Sequence, residues 1–358
     1  MNKNLLIQSD NITGLNYLLN NGLKNKIDLV YIDPPFSTGT NFTITNGRAT
    51  TISNSKNGKI AYVDTLKGMD FIEFLRERLI LIRELMSEQG SIYLHIDYKI
   101  GHYVKIMMDD VFGIENFRND IARIKCNPKN FERIGYGNIK DLVIFYTKTQ
   151  NPIWNEPRKK YSDKDLETLF PKRDKQGRRY TTVPIHAPGE TEMGKTNQPF
   201  NGILPPVGRH WRTDVATLEQ WNNEGLIEWS SNGNPRKIIY ADEREGMRVQ
   251  DIWEFKDPQY PDYPTEKNAE MLDLIVNTSS NENSIILDCF CGSGTTLKSA
   301  QIHNRSWIGI DQSELAIEIT KKKIDEIHGD IFIENSEYEF INLSELRYQA
   351  SDLVHKFA

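Results

Sequence analysis

Ile27-Asp28-Leu29-Val30-Tyr31-Ile32-Asp33-Pro34-Pro35-Phe36 opens as a short apolar, β-branched run and stops on an acid, two prolines and an aromatic ring. The run predicts a buried strand. Each proline removes a backbone donor and holds φ near about −65°, and the residue before a proline is kept out of the helical region. The result is a stiff turn that presents Asp33, the Pro34 carbonyl and the Phe36 ring at a strand's carboxyl end. Ligands sit there in open α/β sheets. Taken alone, the tetrapeptide fits an ordinary strand-to-loop turn equally well.

A second turn, Asp288-Cys289-Phe290-Cys291-Gly292-Ser293-Gly294-Thr295-Thr296, lies between a predicted strand at 284–287 and a predicted helix at 295–301. Glycines there let the backbone approach a ligand, and a helix N-terminus favours an anionic group. A dinucleotide fingerprint would want a third glycine where Leu297 stands. The next strand, 307–310, runs into Asp311, placed to accept from ribose hydroxyls. The pattern suggests a nucleoside-bearing ligand with a carboxylate rather than a pyrophosphate.

Around these turns runs an α/β rhythm. Strands are predicted at 5–7, 91–96 and 142–146, and helices around Leu15, Leu18 and Leu19, at 71–86, at 102–111, around 271–276 and at 314–327. Residues 37–64 are rich in Thr, Asn, Gly and Ser without periodicity, and read as a long mobile lid. The rhythm stops after Tyr146. Residues 154–248 hold Trp154, Trp211, Trp221 and Trp229 and basic clusters such as Arg158-Lys159-Lys160 and Arg209-His210-Trp211-Arg212. We expect an inserted domain at 151–253 between two parts of an α/β domain, 1–150 and 254–340, with a tail helix in 341–358. The tryptophans would build the insert's small core. Each basic cluster could be a nucleic-acid contact or simply a solvated face.

The whole-chain properties narrow the class. A net charge of −6 in 358 residues argues against a protein that coats nucleic acid non-specifically, though local basic faces remain compatible with binding it. Three cysteines, Cys126, Cys289 and Cys291, give neither a disulfide framework nor the spacing of a zinc site, so no metal is expected and the setting reads as cytoplasmic. No apolar run reaches the ~20 residues that span a bilayer, and the N-terminus lacks a signal-peptide core.

Together the two turns resemble those of the N6-adenine DNA methyltransferases of the permuted (beta) class, and the chain is similar to the modification subunits of type III restriction systems. Asp33-Pro34-Pro35-Phe36 followed by Ser37-Thr38-Gly39 carries the resemblance, as do Asp288-x-Phe290-x-Gly292-Ser293-Gly294-Thr295 and Pro264-Thr265-Glu266-Lys267. Asn268 stands where the family usually has proline, and Ser9 where glycine is commoner. The resemblance covers nearly the whole chain. It implies a circularly permuted, seven-stranded Rossmann-like methyltransferase sheet with an inserted target-recognition domain, and S-adenosylmethionine as cofactor. It assigns catalysis to Asp33, Pro34, Pro35 and Phe36. It assigns the cofactor's methionine side to Asp288, Phe290, Cys291, Gly292, Gly294 and Thr295, its ribose to Asp311, its adenine to Asp10, and its carboxylate end to Thr265 and Lys267. Asp10 and Asp311 could also cap helices, and Lys267 could be a solvated lysine at a helix start. Arg209, His210, Arg212 and Arg236 become the DNA contacts. The implied partners are double-stranded DNA, a homodimer mate and a cognate restriction subunit, with no membrane. The rivals are an N4-cytosine enzyme of the same fold, whose turn usually resembles Ser-Pro-Pro-Tyr, and a non-enzymatic DNA-specificity subunit.

Overall fold

The computed structural model describes residues 4–35, 41–45, 48–50, 59–63, 69–128, 130, 132, 134–189, 194–259, 261, 266–327 and 337–345. The chain divides into two compact units, Met1–Pro157 with Gln250–Ala358, and Arg158–Val249. Residues 151–157 and 250–253, expected in the insert, therefore belong with the larger unit.

The larger unit is built on nine strands: β1 (Asn4–Gln8), β2 (Ile27–Ile32), β3 (Met86–Ile96), β4 (Phe117–Ile124), β5 (Lys140–Thr147), β6 (Ile252–Trp253), β7 (Ile285–Asp288), β8 (Ser306–Asp311) and β9 (Tyr338–Asn342). Their order is β6-β4-β5-β3-β2-β7-β8-β1-β9. All neighbours are parallel except β5, which is antiparallel to both β3 and β4. The expected seven strands form the centre, and the short β6 and the polar β9 extend the two edges. Strands β4, β6 and β9 had no counterpart in the sequence reading.

Six helices connect the sheet: α1 (Asn11–Asn20), α2 (Met69–Leu85), α3 (Gly101–Phe112), α4 (Ala269–Ser279), α5 (Thr295–Ile302) and α6 (Glu314–Ile327). Helices α1, α2 and α3 pack in one row, and α4, α5 and α6 in another. The first row forms because α2 repeats apolar residues at helical spacing, so Phe71, Leu75, Leu79, Ile82 and Leu85 are buried with Leu15 and Leu18 of α1. Alternate strand residues serve the two rows: Leu287, Ile308 and Ile310 join the first row's cluster, whereas Ile286 and Trp307 lie outside it. Side chains at the centre of the sheet are almost wholly removed from water, which at roughly 25 cal/mol per Å² is the main source of stability.

The chain leaves β7 through α5 toward β8 on one side, and leaves β2 through α2 toward β3 on the other. The sheet's order therefore reverses between β2 and β7, which pair directly, Leu29 with Ile286 and Val30 with Leu287. Asp33 and Asp288 thus come to the same edge. A crevice opens at such a reversal.

Residues 37–64 are not a plain loop. Asn41–Thr45, Arg48–Thr50 and Lys59–Val63 form a three-stranded antiparallel sheet, and the remainder of the expected lid lies outside the described residues. The tail expected as a helix also starts differently: β9 runs through Asn342, and 346–358 lie outside the described residues.

The smaller unit holds a four-stranded sheet and two two-stranded ones. Its core is Ile185, Phe200, Trp211 and Leu218, with Trp221 packed beside them. Trp229 stacks on Phe200 at 5.8 Å but is 38% exposed. Trp154 belongs to the other unit, stacked on Phe145 at 5.9 Å.

Candidate active site

At the reversal the structure opens a cleft of about 190 Å³. Asp10, Asp33, Pro34, Pro35, Lys267, Asp288, Phe290, Cys291, Gly292, Thr295 and Asp311 all line it. Six separate stretches of chain, far apart in sequence, meet there. Phe36 and Thr265 lie outside the described residues.

Asp33 follows β2 on the proline turn. Its Oδ2 is 2.5 Å from Lys267 Nζ. Its Oδ1 is buried and, among the described residues, has no hydrogen-bond partner. A buried carboxylate oxygen without a donor costs free energy; this one borders the cleft and is an acceptor ready for an incoming N–H. Lys267, assigned by resemblance to the cofactor's carboxylate end, is thus seen paired with Asp33. Asn268, where the family has proline, caps α4 by accepting from Met271 N at 3.2 Å and donates to Lys256 O at 3.0 Å. A proline could make neither contact.

The glycine loop has a backbone that needs its glycines. Gly292 and Gly294 have φ of 51° and 73°, the left-handed region that L side chains rarely occupy. A Cβ on Gly294 would sit 2.8 Å from Thr320 Oγ1, which itself donates to Gly292 O at 2.9 Å. Asp311 closes the loop from β8: its Oδ2 accepts from Gly292 N at 2.9 Å and its Oδ1 from Ser313 N at 2.9 Å. Asp288 accepts from Phe290 N at 3.0 Å. Burial pushes the Asp288 carboxyl up to about 7, and the neighbouring charges of Asp33 and Asp311 push the same way. Burial likewise raises Asp311. Five acidic side chains, Asp10, Asp33, Glu266, Asp288 and Asp311, line the cleft against two basic ones, Arg78 and Lys267, an excess that favours a cationic ligand.

Asp10 does serve as the cap of α1, accepting from Thr13 N at 3.0 Å, and it also lines the cleft.

Sequence reasoning passed over several lining residues. Arg78 sits on the buried stripe of α2, 3.4 Å from the centroid of the Phe74 ring, and donates to Asn11 Oδ1 at 3.2 Å and Phe74 O at 2.7 Å. Burial lowers its pKa to about 10. An arginine on an apolar helix face was the available signal. Glu266 pairs with Lys323 of α6, whose Nζ lies 3.3 Å from both Ser293 Oγ and Thr295 Oγ1. Nothing in the local sequence marks Lys323, one of three consecutive lysines.

In the smaller unit, Arg209 and Trp211 lie on a strand, Arg209–Trp211, paired with His186–Pro188. Arg209 Nη1 is 3.2 Å from His186 Nδ1, and Arg212 Nε donates to His186 O at 3.2 Å. Burial, then Arg209, Arg212 and Arg236, lower the His186 pKa, so the three arginines converge on one histidine. Arg236 is held by Thr182 Oγ1 and O at 2.8 and 2.6 Å. His210 donates from Nδ1 to Gly189 O at 2.9 Å.

Residues 27–322 match the family model for DNA methylases of the N6 and N4 type. The chain belongs to the N6/N4 DNA methylase family. It is 39% identical over 326 residues to the type II methyltransferase M.EcaI of Enterobacter cloacae, across 89% of this chain and 69% of that protein. It is 24% identical to the type III EcoPI Mod subunit of Escherichia phage P1, across 91% of this chain and 62% of that subunit. With the StyLTI Mod subunit of Salmonella typhimurium the identity is 24%, across 84% of this chain and 50% of the subunit. The chain spans less than two thirds of either Mod subunit. The crystal structure of the M1.HpyAVI complex with SAM superposes with a TM-score of 0.46 at 16% identity, covering 89% of this chain and 99% of that one. S-adenosylmethionine is the methyl donor of this N6/N4 methylase, and the family holds both adenine-N6 and cytosine-N4 enzymes. Among the described residues no helix is long and apolar enough to cross a membrane.

Proposed function

We propose that this methylase transfers its methyl group to N6 of adenine at specific sites in duplex DNA, with the target base turned out of the helix. The observation that carries the reading is Asp33: one oxygen is held by Lys267, and the other is buried at the cleft with no donor among the described residues.

The residues present fit the cofactor. Gly292 lines the cleft on a left-handed loop that it shares with Gly294, Asp311 holds the loop and keeps lone pairs for ribose hydroxyls, and the carboxylates along the cleft suit a cationic methionine end. When bound, S-adenosylmethionine supplies a methyl already activated on a sulfonium. The exocyclic amine of adenine is the weak partner, because its lone pair is conjugated with the ring. Asp33 Oδ1 and the Pro34 carbonyl are both acceptors, and together they take the two N–H bonds of that amine. This draws the nitrogen toward tetrahedral geometry and stabilises the positive charge that develops on it. The rest is positioning. A paired base cannot reach the cleft, and extrusion costs a few kcal/mol; Phe36 in the same turn is the ring proposed to stack on the base, returning about 1–3 kcal/mol. Asp33 and Phe36, rather than serine and tyrosine, favour adenine over cytosine.

The smaller unit is proposed as the sequence reader, through Arg209, His210, Arg212 and Arg236, joined by His186. Arg209→Ala or Arg212→Ala is expected to weaken duplex binding and leave cofactor affinity unchanged. A base-reading arginine would relax specificity at one position by about 1–3 kcal/mol, and a phosphate contact would weaken all sequences and flatten the salt dependence. Unchanged binding in both variants would place the reader elsewhere.

Asp288 yields a pH prediction. An acid whose pKa rises on folding adds stability below its unfolded pKa, about 4, and that contribution is lost as pH rises through the folded value, about 7. The cofactor-free protein should therefore lose melting temperature relative to Asp288→Asn as pH rises from about 4 to about 7, with no further loss above that. Parallel melting curves for the two proteins across that range would contradict it.

Site-specific methylation itself is tested by expressing the chain in cells free of DNA methylation and mapping the modified positions. Modification within one short recurring sequence is the expected result; unmodified DNA, or modification without sequence preference, would reject the reading.

A further inference from the structure

A polar chain runs beneath the proline turn. Tyr31 Oη is 2.9 Å from His95 Nδ1, His95 Nε2 is 3.1 Å from Asp141 Oδ2, and Asp141 Oδ2 is 3.4 Å from Arg123 Nη1. These four residues come from the neighbouring strands β2, β3, β5 and β4, and none is more than 2% exposed. Burial would raise the Asp141 carboxyl, yet His95, Arg123 and Lys267 together hold it well below the usual carboxylate range.

Arg123 turns this chain into a ring. Its Nε donates to Phe255 O at 2.7 Å and its Nη2 to Asp257 Oδ1 at 2.5 Å. Asp257 N donates to Lys125 O at 2.9 Å, which pins the same segment to β4. Between those anchors, Lys256 O accepts from Asn268 Nδ2 at 3.0 Å. The residue before Asn268 is Lys267, whose ammonium holds Asp33, and Asp33 lies two residues beyond Tyr31, just past the end of the strand. The contacts therefore close on themselves through both members of the Asp33–Lys267 pair.

His95, Arg123, Asp141 and Asp257 do not line the cleft. We propose that this ring fixes the Asp33–Lys267 pair, and that Arg123 and Asp257 are positioning residues for methyl transfer. The proposal rests on the reading of Asp33 as the acceptor of the target amine. Arg123 suits the task because its fork donates in three directions at once, which a lysine cannot. Removing a buried arginine would threaten folding, whereas Asp257 has a side chain 46% exposed, and its loss leaves Arg123 bonded to Phe255 O and Asp141.

The test is single-turnover methyl transfer by Asp257→Ala. A displacement of the pair by a fraction of an ångström should slow transfer by about tenfold to a hundredfold, with cofactor and duplex dissociation constants within about twofold of wild type. Asp257→Asn keeps a carbonyl acceptor for Arg123 and should recover most of the rate. In a Lys267→Met background, Asp257→Ala should slow transfer no further, because the ring acts through Lys267. A wild-type rate for Asp257→Ala, or the same loss in both backgrounds, overturns the proposal. If Asp33→Ala is inactive while Asp257→Ala is normal, this inference alone fails; if Asp33→Ala remains active, the reading beneath it fails as well.

Discussion

Asp33→Ala is expected to lower single-turnover methyl transfer by about a thousandfold or more, while the protein folds and binds duplex DNA as wild type does. On the proposed reading the carboxylate acts on charge that appears on the amine during transfer, so its loss should fall on the chemical step rather than on DNA binding. Lys267 would lose its contact with Asp33 beside a cleft still facing Asp288 and Asp311, and cofactor affinity should change modestly. Asp33→Asn separates shape from charge. It keeps a carbonyl acceptor where Oδ1 now lies buried, but a neutral acceptor makes the weaker hydrogen bond, and its amide cannot pair with Lys267 as a carboxylate does. Asn should therefore be severely slowed too. Single-turnover conditions keep slow product release from hiding the step. A rate within a few-fold of wild type for Asp33→Ala would remove it from catalysis.

The second large effect is on cofactor binding. Gly294→Val is expected to weaken S-adenosylmethionine binding by about a hundredfold, since backbone strain of about 1–2 kcal/mol in the left-handed region adds to overpacking of about 1–3 kcal/mol. The new Cβ would meet Thr320 Cγ2 and Oγ1 at 2.8 Å. Thr320 cannot retreat without giving up its bond to Gly292 O, so the loop must move, and with it the amide that Asp311 holds. Calorimetric titration reads the affinity, and duplex binding by the smaller unit's arginines should be spared. Wild-type affinity would show that the loop does not cradle the cofactor.

The residues that bend the chain were the legible ones. Two prolines after Asp33 and two glycines after Asp288 constrain the backbone so strongly that their turns could be read directly, and the cleft formed where expected. Helix α6 was equally plain, because its apolar period is unbroken. Strand β4 was missed because Phe117-Arg-Asn-Asp-Ile-Ala-Arg-Ile mixes charge into a half-buried run, and its Arg123 is buried for the sake of partners over a hundred residues away. Edge strand β9 is too exposed to show a buried pattern. In residues 37–64 the alternation of Phe42 and Ile44 along Asn41–Thr45 covers only five residues of a polar stretch, so it was passed over and the three short strands were missed. The contact between Lys267 and Asp33 was invisible for another reason: it joins positions 234 residues apart, and only the crossing of β2 beside β7 brings them together.

The most direct measurement is the identity of the methylated base. Purified protein would be incubated with labelled S-adenosylmethionine and duplex DNA, the DNA digested to nucleosides, and the label separated by chromatography. With Asp33 accepting from an adenine amine, all label should travel with N6-methyladenine deoxynucleoside. Label in N4-methylcytosine deoxynucleoside would contradict the assignment.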